Sequence, residues 1–328
     1  MREIFKGYYQ LEDKEFKKLW DNAVFIFDTN VLLNLYRYQT TTRDALFDIM
    51  EQLSDRIWIP YHVGLEFQIN RLSVIAKQNK RYSEARNIVT TALNAMENQL
   101  ENLQLKERHS HINPDKLLKD ISKVKTSFFK ELESLEEKSI SVSSEDKIRE
   151  RIDMLFNDKI GKPPSSQEDL EQLYVEGEQR YHKQIPPGFE DSGKNDNQPD
   201  EFTHNDLLYK RKYGDLILWK QIIGYSKNKD LKDVIFITDD NKSDWWWKID
   251  SGGTKTIGPR PELIEEMNRL TNVERLHMYS TEKFLEYANE YLNANVGKEA
   301  IEEVREVSVA GRAIRKSISL QIELTRSA

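Results

Sequence analysis

The sequence predicts an α/β fold built on a central parallel sheet, and three observations carry that expectation. Short apolar runs at Val24 to Phe27, Ile57 to Pro60, Val234 to Thr238 and Val273 to Met278 are rich in β-branched and aromatic residues and too short for helices. They are nearly continuous rather than alternating, as strands buried on both faces are. Segments with apolar residues at helical spacing separate them, and strands alternating with helices specify layers of helix on sheet.

Taken in order, the first strand ends on Asp28. Thr42 to Leu53 follows as a helix, with apolar residues at 45, 46, 49, 50 and 53 on one stripe. After the second strand a long helix is expected from Gly64 to about Leu105. From Ala85 its apolar positions run 85, 88, 89, 92, 93, 96, 100 and 103. His109-Ser-His-Ile-Asn113-Pro114 interrupts it, with Asn113 suited to a helix N-cap and Pro114 to the first helical position. A second stripe at Leu117, Ile121, Val124, Phe128, Leu132 and Leu135 completes an antiparallel helical hairpin inserted into the α/β domain. A shorter helix spans Glu145 to Asp158, and Ser165-x-x-Glu168 reads as a capping box opening a helix to about His182. Ile185 to Pro199 is turn-rich and reads as a long loop, a class often functional. Further helices are expected over Gly214 to Ser226, Pro261 to Leu270 and Thr281 to Leu292. The resulting domain assignment is 1–75 and 185–296 for the two parts of the α/β domain, 76–184 for the helical insertion and 297–328 for a tail. The tail reads equally as helix, strand or partner-binding segment.

Composition narrows the class. A chain of 328 residues with 38% hydrophobic residues can bury a real core, in one enlarged domain or two. No cysteine is present, which removes disulfides, thiolate metal sites and cysteine nucleophiles and fits a reducing cytoplasm. No apolar run is long enough for a membrane span, and the first residues lack a signal-peptide core. A cytoplasmic location with no membrane partner is the expectation. The net charge of −7 speaks against a passive nucleic-acid binder but not against an acidic catalytic site. Between Asn205 and Lys232, seven basic residues stand against three aspartates, a local basic patch.

Carboxylates stand where structure alone does not require them. Asp28 and the pair Asp239–Asp240 each terminate an apolar strand, and in an open α/β sheet strand ends face the ligand crevice. Glu66 and Asp215 lie in the first turns of helices, so two strand ends and two helix starts can converge on one edge. Each acid alone also reads as a helix cap or as a partner of the helix dipole. Together they form a like-charged cluster that a hard divalent cation would relieve. Oxygen-only ligation points to Mg2+ or Mn2+ rather than zinc, and to in-line chemistry at phosphorus.

These residues carry a resemblance to the PIN-like nucleases of the PIN/flap-endonuclease superfamily. The motifs are Phe27-Asp28-Thr29-Asn30-Val31-Leu32-Leu33, then Ile59-Pro60 through Glu66 to Asn70-Arg71, then Tyr213-Gly214-Asp215-Leu216 and Ile237-Thr238-Asp239-Asp240. The loop Pro186-Pro-Gly-Phe-Glu-Asp191 with Lys194 is similar to a segment of the bacterial PIN-like group with a helical insertion. The resemblance implies a three-layer α/β/α domain. It also implies catalytic and metal-binding roles for Asp28, Glu66, Asp215 and Asp239, with Asp240 auxiliary, and hydrolysis that leaves a 5′-phosphate. RNA is favoured over DNA as substrate, and a toxin or defence role fits by analogy.

Candidate substrate contacts are Asn30, Arg71, Lys194, Thr238, Lys242 and Trp245. Arg71 also reads as a partner of a carboxylate, and Asp244-Trp-Trp-Trp-Lys248 first as packing and second as a base-stacking platform. Ser251-Gly-Gly-Thr-Lys255 reads as a flexible loop, and His109 and His111 as a solvated turn. A homodimer or a regulatory protein partner would use the hairpin or the tail. Two other functions stay in view. One is a non-catalytic interaction protein that merely holds a metal. The other is a haloacid-dehalogenase-like phosphatase, which needs an acid where this chain has Asn30.

Overall fold

The computed structural model describes residues 1–105, 111–191 and 199–309. Strands β1 (Val24–Phe27), β2 (Ile57–Trp58), β5 (Asp233–Ile237) and β8 (Arg275–Tyr279) form one parallel sheet in the order β2-β1-β5-β8. The register is direct. Phe27 of β1 faces Ile237 of β5, which faces Tyr279 of β8, so the three strands end level with one another. Backbone pairing continues one step past the strands, from Asp28 N to Ile237 O and from Thr238 N to Tyr279 O. The residues following β1, β5 and β8 therefore form a row along one edge of the sheet.

All five positions of β5 are buried, because helices cover both faces. Alternation along a strand sends odd and even residues to opposite faces. Phe25 and Phe27 meet Trp20 of α1 (Asp13–Asn22) and Phe284 of α10 (Thr281–Tyr291). Trp20 stacks on Phe284 and donates to the Tyr279 hydroxyl at 3.2 Å. On the other face, Phe236 packs on Trp245, which meets Trp219 of α8 (Gly214–Asn228) edge-on. This is the three-layer α/β/α arrangement the sequence predicts.

Local chemistry accounts for the helix starts. Asp28 caps α2 (Thr29–Asn34), Ser280 caps α10, and Pro261 opens α9 (Pro261–Leu270). The expected cap at Ser165 falls one residue later. Ser166 accepts from Asp169 N and opens α7 (Gln167–His182). Asn113 likewise accepts from Asp115 N, and α5 (Asp115–Lys138) begins one residue beyond the expected Pro114. The remaining helices are α3 (Thr40–Gln52), α4 (Tyr61–Asn102) and α6 (Lys147–Leu155).

Two antiparallel hairpins are additions to the sequence reading. β3 (Glu201–His204) pairs with β4 (Leu207–Lys210), and β6 (Trp246–Asp250) with β7 (Thr254–Pro259). Ser251-Gly-Gly-Thr-Lys255, read as a flexible loop, is the turn of the second hairpin, with Gly252 and Gly253 both at positive φ. Tail residues 298–309 are helical, and Glu303 accepts from Gln39 N and Thr42 at the start of α3.

The chain divides into two compact units, residues 70–147 and the remainder. By this division α7 belongs with the α/β unit, although the sequence reading gives 76–184 to the insertion. Within the smaller unit, α4 and α5 run antiparallel. Arg86 pairs with Glu136, Asn79 meets Ser139 and Ile140, and Arg71 pairs with Asp146. Arg71 is thus bound to a carboxylate, the structural one of its two readings. His111 is exposed, as a solvated turn requires, whereas His109 lies outside the described residues.

One buried ion pair ties three helices to the turn-rich loop. Arg180 of α7 contacts both oxygens of Glu266 of α9, at 2.7 and 2.8 Å, and also donates to Pro186 O. Trp219 of α8 donates to the same carboxylate at 2.9 Å. Burial pushes the Glu266 pKa upward, but Arg180, Trp219 and Lys220 outweigh it and bring the pKa down to about 2. Removing one partner strands a buried charge, so Arg180→Leu is expected to cost ~3–5 kcal/mol in chemical denaturation. The contribution of Glu266 is complete above its ordinary value of 4.5 and is lost as pH falls from there toward 2. The parent should therefore lose stability across that window more steeply than the variant.

Candidate active site at the carboxyl edge of the sheet

Asp28 sits half-buried at the end of β1, and three neighbours fix its carboxylate. Thr29 N donates to Oδ1 at 2.7 Å, Thr238 Oγ1 donates to Oδ2 at 2.6 Å, and Asn30 donates its amide to Oδ2. Asn30 also binds Thr238 Oγ1 and accepts from Asp239 N at 2.8 Å. Its side chain thus links the ends of β1 and β5. Neither Asn30 nor Thr238 is spare for substrate, and both act as positioning groups.

Thr29 joins Asp28 to the next acid. Its hydroxyl donates to Glu66 Oε2 at 2.9 Å, while its N–H holds Asp28. Glu66 lies on α4, one turn after the buried His62, whose Nε2 stands 3.5 Å from Glu66 Oε1. Burial pushes the Glu66 pKa up, but His62 and Thr29 more than offset this and hold it below the ordinary value.

Asp215 reaches the site because α8 begins unusually close to α4. A Cβ on Gly214 would stand 3.2 Å from His62 Nε2 and 3.4 Å from Glu66 Oε1, so any larger residue would push these side chains by a few tenths of an ångström. Beneath it lies a core of Leu65, Leu170, Tyr174, Tyr181, Tyr209, Tyr213 and Ile217. Asp215 accepts from Lys242 Nζ at 2.9 Å and from Trp245 Nε1 at 3.2 Å.

The adjacent acids Asp239 and Asp240 part ways. Asp239 accepts from Asn34 Nδ2, Thr281 N and Thr281 Oγ1, at 2.8 to 2.9 Å, and so serves as a clasp between α2 and α10. The buried Asp240 turns to Lys242, accepting from its N and standing 2.9 Å from its Nζ. Of this pair it is Asp240, not Asp239, that meets Lys242 and is among the charges acting on Asp28.

Lys242, expected to contact substrate, is instead enclosed by acids. Its ammonium stands 2.9 Å from each of Asp191, Asp215 and Asp240, and only 15% of the side chain is exposed. Burial lowers its pKa, but the three carboxylates raise it well above the ordinary value. Trp245, expected to stack a base, is 1% exposed and cannot do so without leaving the core. Lys194 lies outside the described residues.

Asp191 and Asp244 are site residues the sequence reading did not single out. Asp191 ends the 3-10 turn 189–191, and Asp244 accepts from Gly188 N at 2.9 Å and Glu190 N at 3.1 Å. Gly188 has φ +94°, and a Cβ there would strike the Tyr181 hydroxyl. A Pro-Pro-Gly turn ending in an acid, and an Asp-x-Lys-x-Asp run after the strand, are the local signals of this half of the site. His62 was legible from its spacing of four residues before Glu66.

The electrostatic consequence falls on Asp28. Burial pushes its pKa up to about 7, with the charges of Asp215, Glu66 and Asp240 adding and the Thr238 hydrogen bond subtracting. Burial and Asp215 raise Asp244 to about 7 as well, against Lys242. Among the described residues no three carboxylate or imidazole groups stand close enough to hold an ion as they are placed. The donor set still suits a hard divalent cation: oxygen-only, crowded and short of positive charge. Because the folded pKa of Asp28 exceeds the ordinary 3.8, its ionisation costs most above pH 7 and nothing below pH 3.8. In metal-free protein, Asp28→Asn should then raise stability by ~2 kcal/mol at pH 8, and the gain should vanish near pH 4 in thermal melts.

Among known proteins, no curated protein and no solved structure matches this chain significantly. A family model does match, that of the PIN-like domain, over residues 24–263. That span begins at the first strand and contains Asp28, Glu66, Asp215, Asp240, Lys242 and Asp244. It covers well over half of the 328 residues, and the chain belongs to the PIN-like domain family.

Proposed function

We propose that this PIN-like protein is a metal-dependent endonuclease that hydrolyses phosphodiesters of single-stranded nucleic acid, RNA ahead of DNA. PIN-like domains belong to a superfamily of nucleases. The observation that carries the reading is the gathering of Asp28, Glu66, Asp215 and Asp240 at one edge of the sheet, where burial, with the neighbouring charges adding to it, pushes the Asp28 pKa up to about 7. A cluster so costly to ionise is what a site for a divalent ion requires. Asp28, Glu66, Asp215 and Asp240 would hold Mg2+ or Mn2+, which supplies Lewis-acid charge for in-line attack of water on phosphorus. The protein's own contribution is orientation. Thr29, Asn30 and Thr238 fix Asp28, Thr29 and His62 fix Glu66, and Gly214 admits Asp215.

A preference for single strands rests on the surroundings. A cavity of about 840 Å³ runs from Thr238, Asp239 and Asp240 to Trp247, Tyr8 and Tyr9. Trp247 is partly exposed and meets Tyr8 edge-on at 5.7 Å. Exposed aromatic rings in a cavity that reaches Asp240 suit an unstacked base, which a duplex does not present. Trp247 thus takes the stacking role that burial denies to Trp245. No helix among the described residues is long and apolar enough to cross a membrane.

The test uses purified full-length protein with Mn2+ or Mg2+ on single-stranded RNA, duplex RNA and DNA. Cleavage is expected, strongest on single-stranded RNA. Asp28→Asn, Asp215→Asn and Asp240→Asn should each lower the rate by about 100-fold or more, near 3 kcal/mol of transition-state stabilisation. Asp239→Asn should cut activity by no more than about tenfold while lowering the melting temperature, because it weakens the clasp to Asn34 and Thr281. A parent inactive on every substrate would instead favour a protein that holds a metal without catalysis. Separately, Trp247→Ala in an Asp28→Asn background should weaken binding of single-stranded RNA by ~1–3 kcal/mol in fluorescence titrations, with duplex binding unchanged.

A further inference from the structure

We infer that Lys242 is a built-in cation filling one pole of the carboxylate site, so that the site takes a single divalent ion at the other pole. The inference rests on the metal-dependent reading above and specifies its stoichiometry. Asp191, Asp215 and Asp240 come from three different segments: the turn 189–191, the start of α8 and the end of β5. All three converge on one ammonium at 2.9 Å. Two of its three N–H donors go to Asp191 and Asp215, and Asp240 stands beside it as a third ion-pair partner. The far pole is different in kind. There Asp28 and Glu66 share Thr29 as a common donor, and among the described residues no lysine or arginine is ion-paired with Asp28. Asp215 and Asp240 stand between the poles, since both contact Lys242 and both act on Asp28. Two-metal hydrolases place cations at both ends of such a carboxylate row, and here a side chain already occupies one end. Carboxylates spread around an ammonium also explain why no trio is set to chelate an ion as placed.

The experiment counts ions rather than turnover. Full-length protein is titrated with Mn2+ by calorimetry, with free Mn2+ followed in parallel by electron paramagnetic resonance. One ion per chain is expected for the parent and for Lys242→Arg, which keeps the charge. Lys242→Met should gain a second ion. Asp28→Asn should weaken the parent's single ion by tenfold or more, which places that ion at the Asp28 pole. Two ions in the parent would overturn the role of Lys242 and leave the metal-dependent reading intact. No ion in the parent would overturn both. Should Lys242→Met fail to fold, the parent count and the Asp28→Asn shift still decide.

A different observation supports a second proposal. On α5, Leu117, Val124, Phe128 and Leu135 are 52%, 69%, 37% and 48% exposed, and at 3.6 residues per turn they fall on one line. We propose that this line is the contact with a second copy of the chain, α5 against α5, antiparallel. The spacings of seven, four and seven read the same in both directions. An antiparallel copy therefore sets Leu117 against Leu135 and Val124 against Phe128, as a two-fold contact requires. Charge agrees with that direction. Residues 115–125 carry four lysines against two aspartates, and residues 127–138 carry two lysines against four glutamates. Antiparallel pairing brings the basic half of each helix to the acidic half of the other. Sedimentation of the full chain should show a dimer, and Val124→Glu with Phe128→Glu a folded monomer. The chain has no cysteine, so the double variant Leu117→Cys with Leu135→Cys should link two chains on oxidation, while either single variant should not. A monomeric parent, or single variants that link as well as the double, would overturn the contact.

Discussion

Like charges forced together at a strand edge set the terms for the rest of this structure. Burial pushes the Asp28 pKa up to about 7, and the charges of Glu66, Asp215 and Asp240 add to that rise. No polar surface would spontaneously adopt that arrangement. It persists because the parallel register brings β1 and β5 to a common end and because the packing beneath α8 leaves Gly214 no other place. The energy for this comes from elsewhere. The aromatic layer around Trp20 and Phe284 and the Arg180–Glu266 pair hold the frame while the edge stays electrostatically strained.

Much of the site is therefore scaffolding made of small polar residues. Thr29, Asn30, Thr238 and Thr281 each use hydroxyl or amide groups to aim an acid, and each sits at or just past the end of a strand. Such residues are short and have few rotamers, so a carboxylate they hold is held in one orientation. The same economy explains why adjacent acids differ in role. Successive residues at the end of β5 point in opposite directions, so Asp239 meets Thr281 and Asn34 while Asp240 meets Lys242.

The core strands and the acids at element ends were legible in the sequence for a physical reason. A strand buried on both faces leaves a continuous apolar run, and an acid that breaks such a run stands out. Asp28 and the Asp239–Asp240 pair were found that way, and Glu66 and Asp215 as acids at the starts of helices. The hairpins β3–β4 and β6–β7 were not, because their strands are only partly covered and lack a continuous apolar run. Direction was also illegible. Asp239 and Asp240 are one residue apart and Trp245 and Trp247 two, and only packing decides which acid meets Lys242 and which ring is partly exposed. Asp191 and Asp244 escaped because the loop that joins them owes its shape to Gly188 and Tyr181, a contact between distant segments.

The ammonium of Lys242 has one property no dissolved ion shares: it is attached. A metal ion fills its site in proportion to its free concentration, and a chelator can empty it. A tethered charge is present once per chain, whatever the surrounding supply, at an effective concentration set by the short loop that carries it. The half of the carboxylate edge around Asp191, Asp215 and Asp240 is thus held together by one fixed positive charge in every molecule from the moment it folds. A chain starved of metal keeps that half assembled, ready to be completed rather than rebuilt.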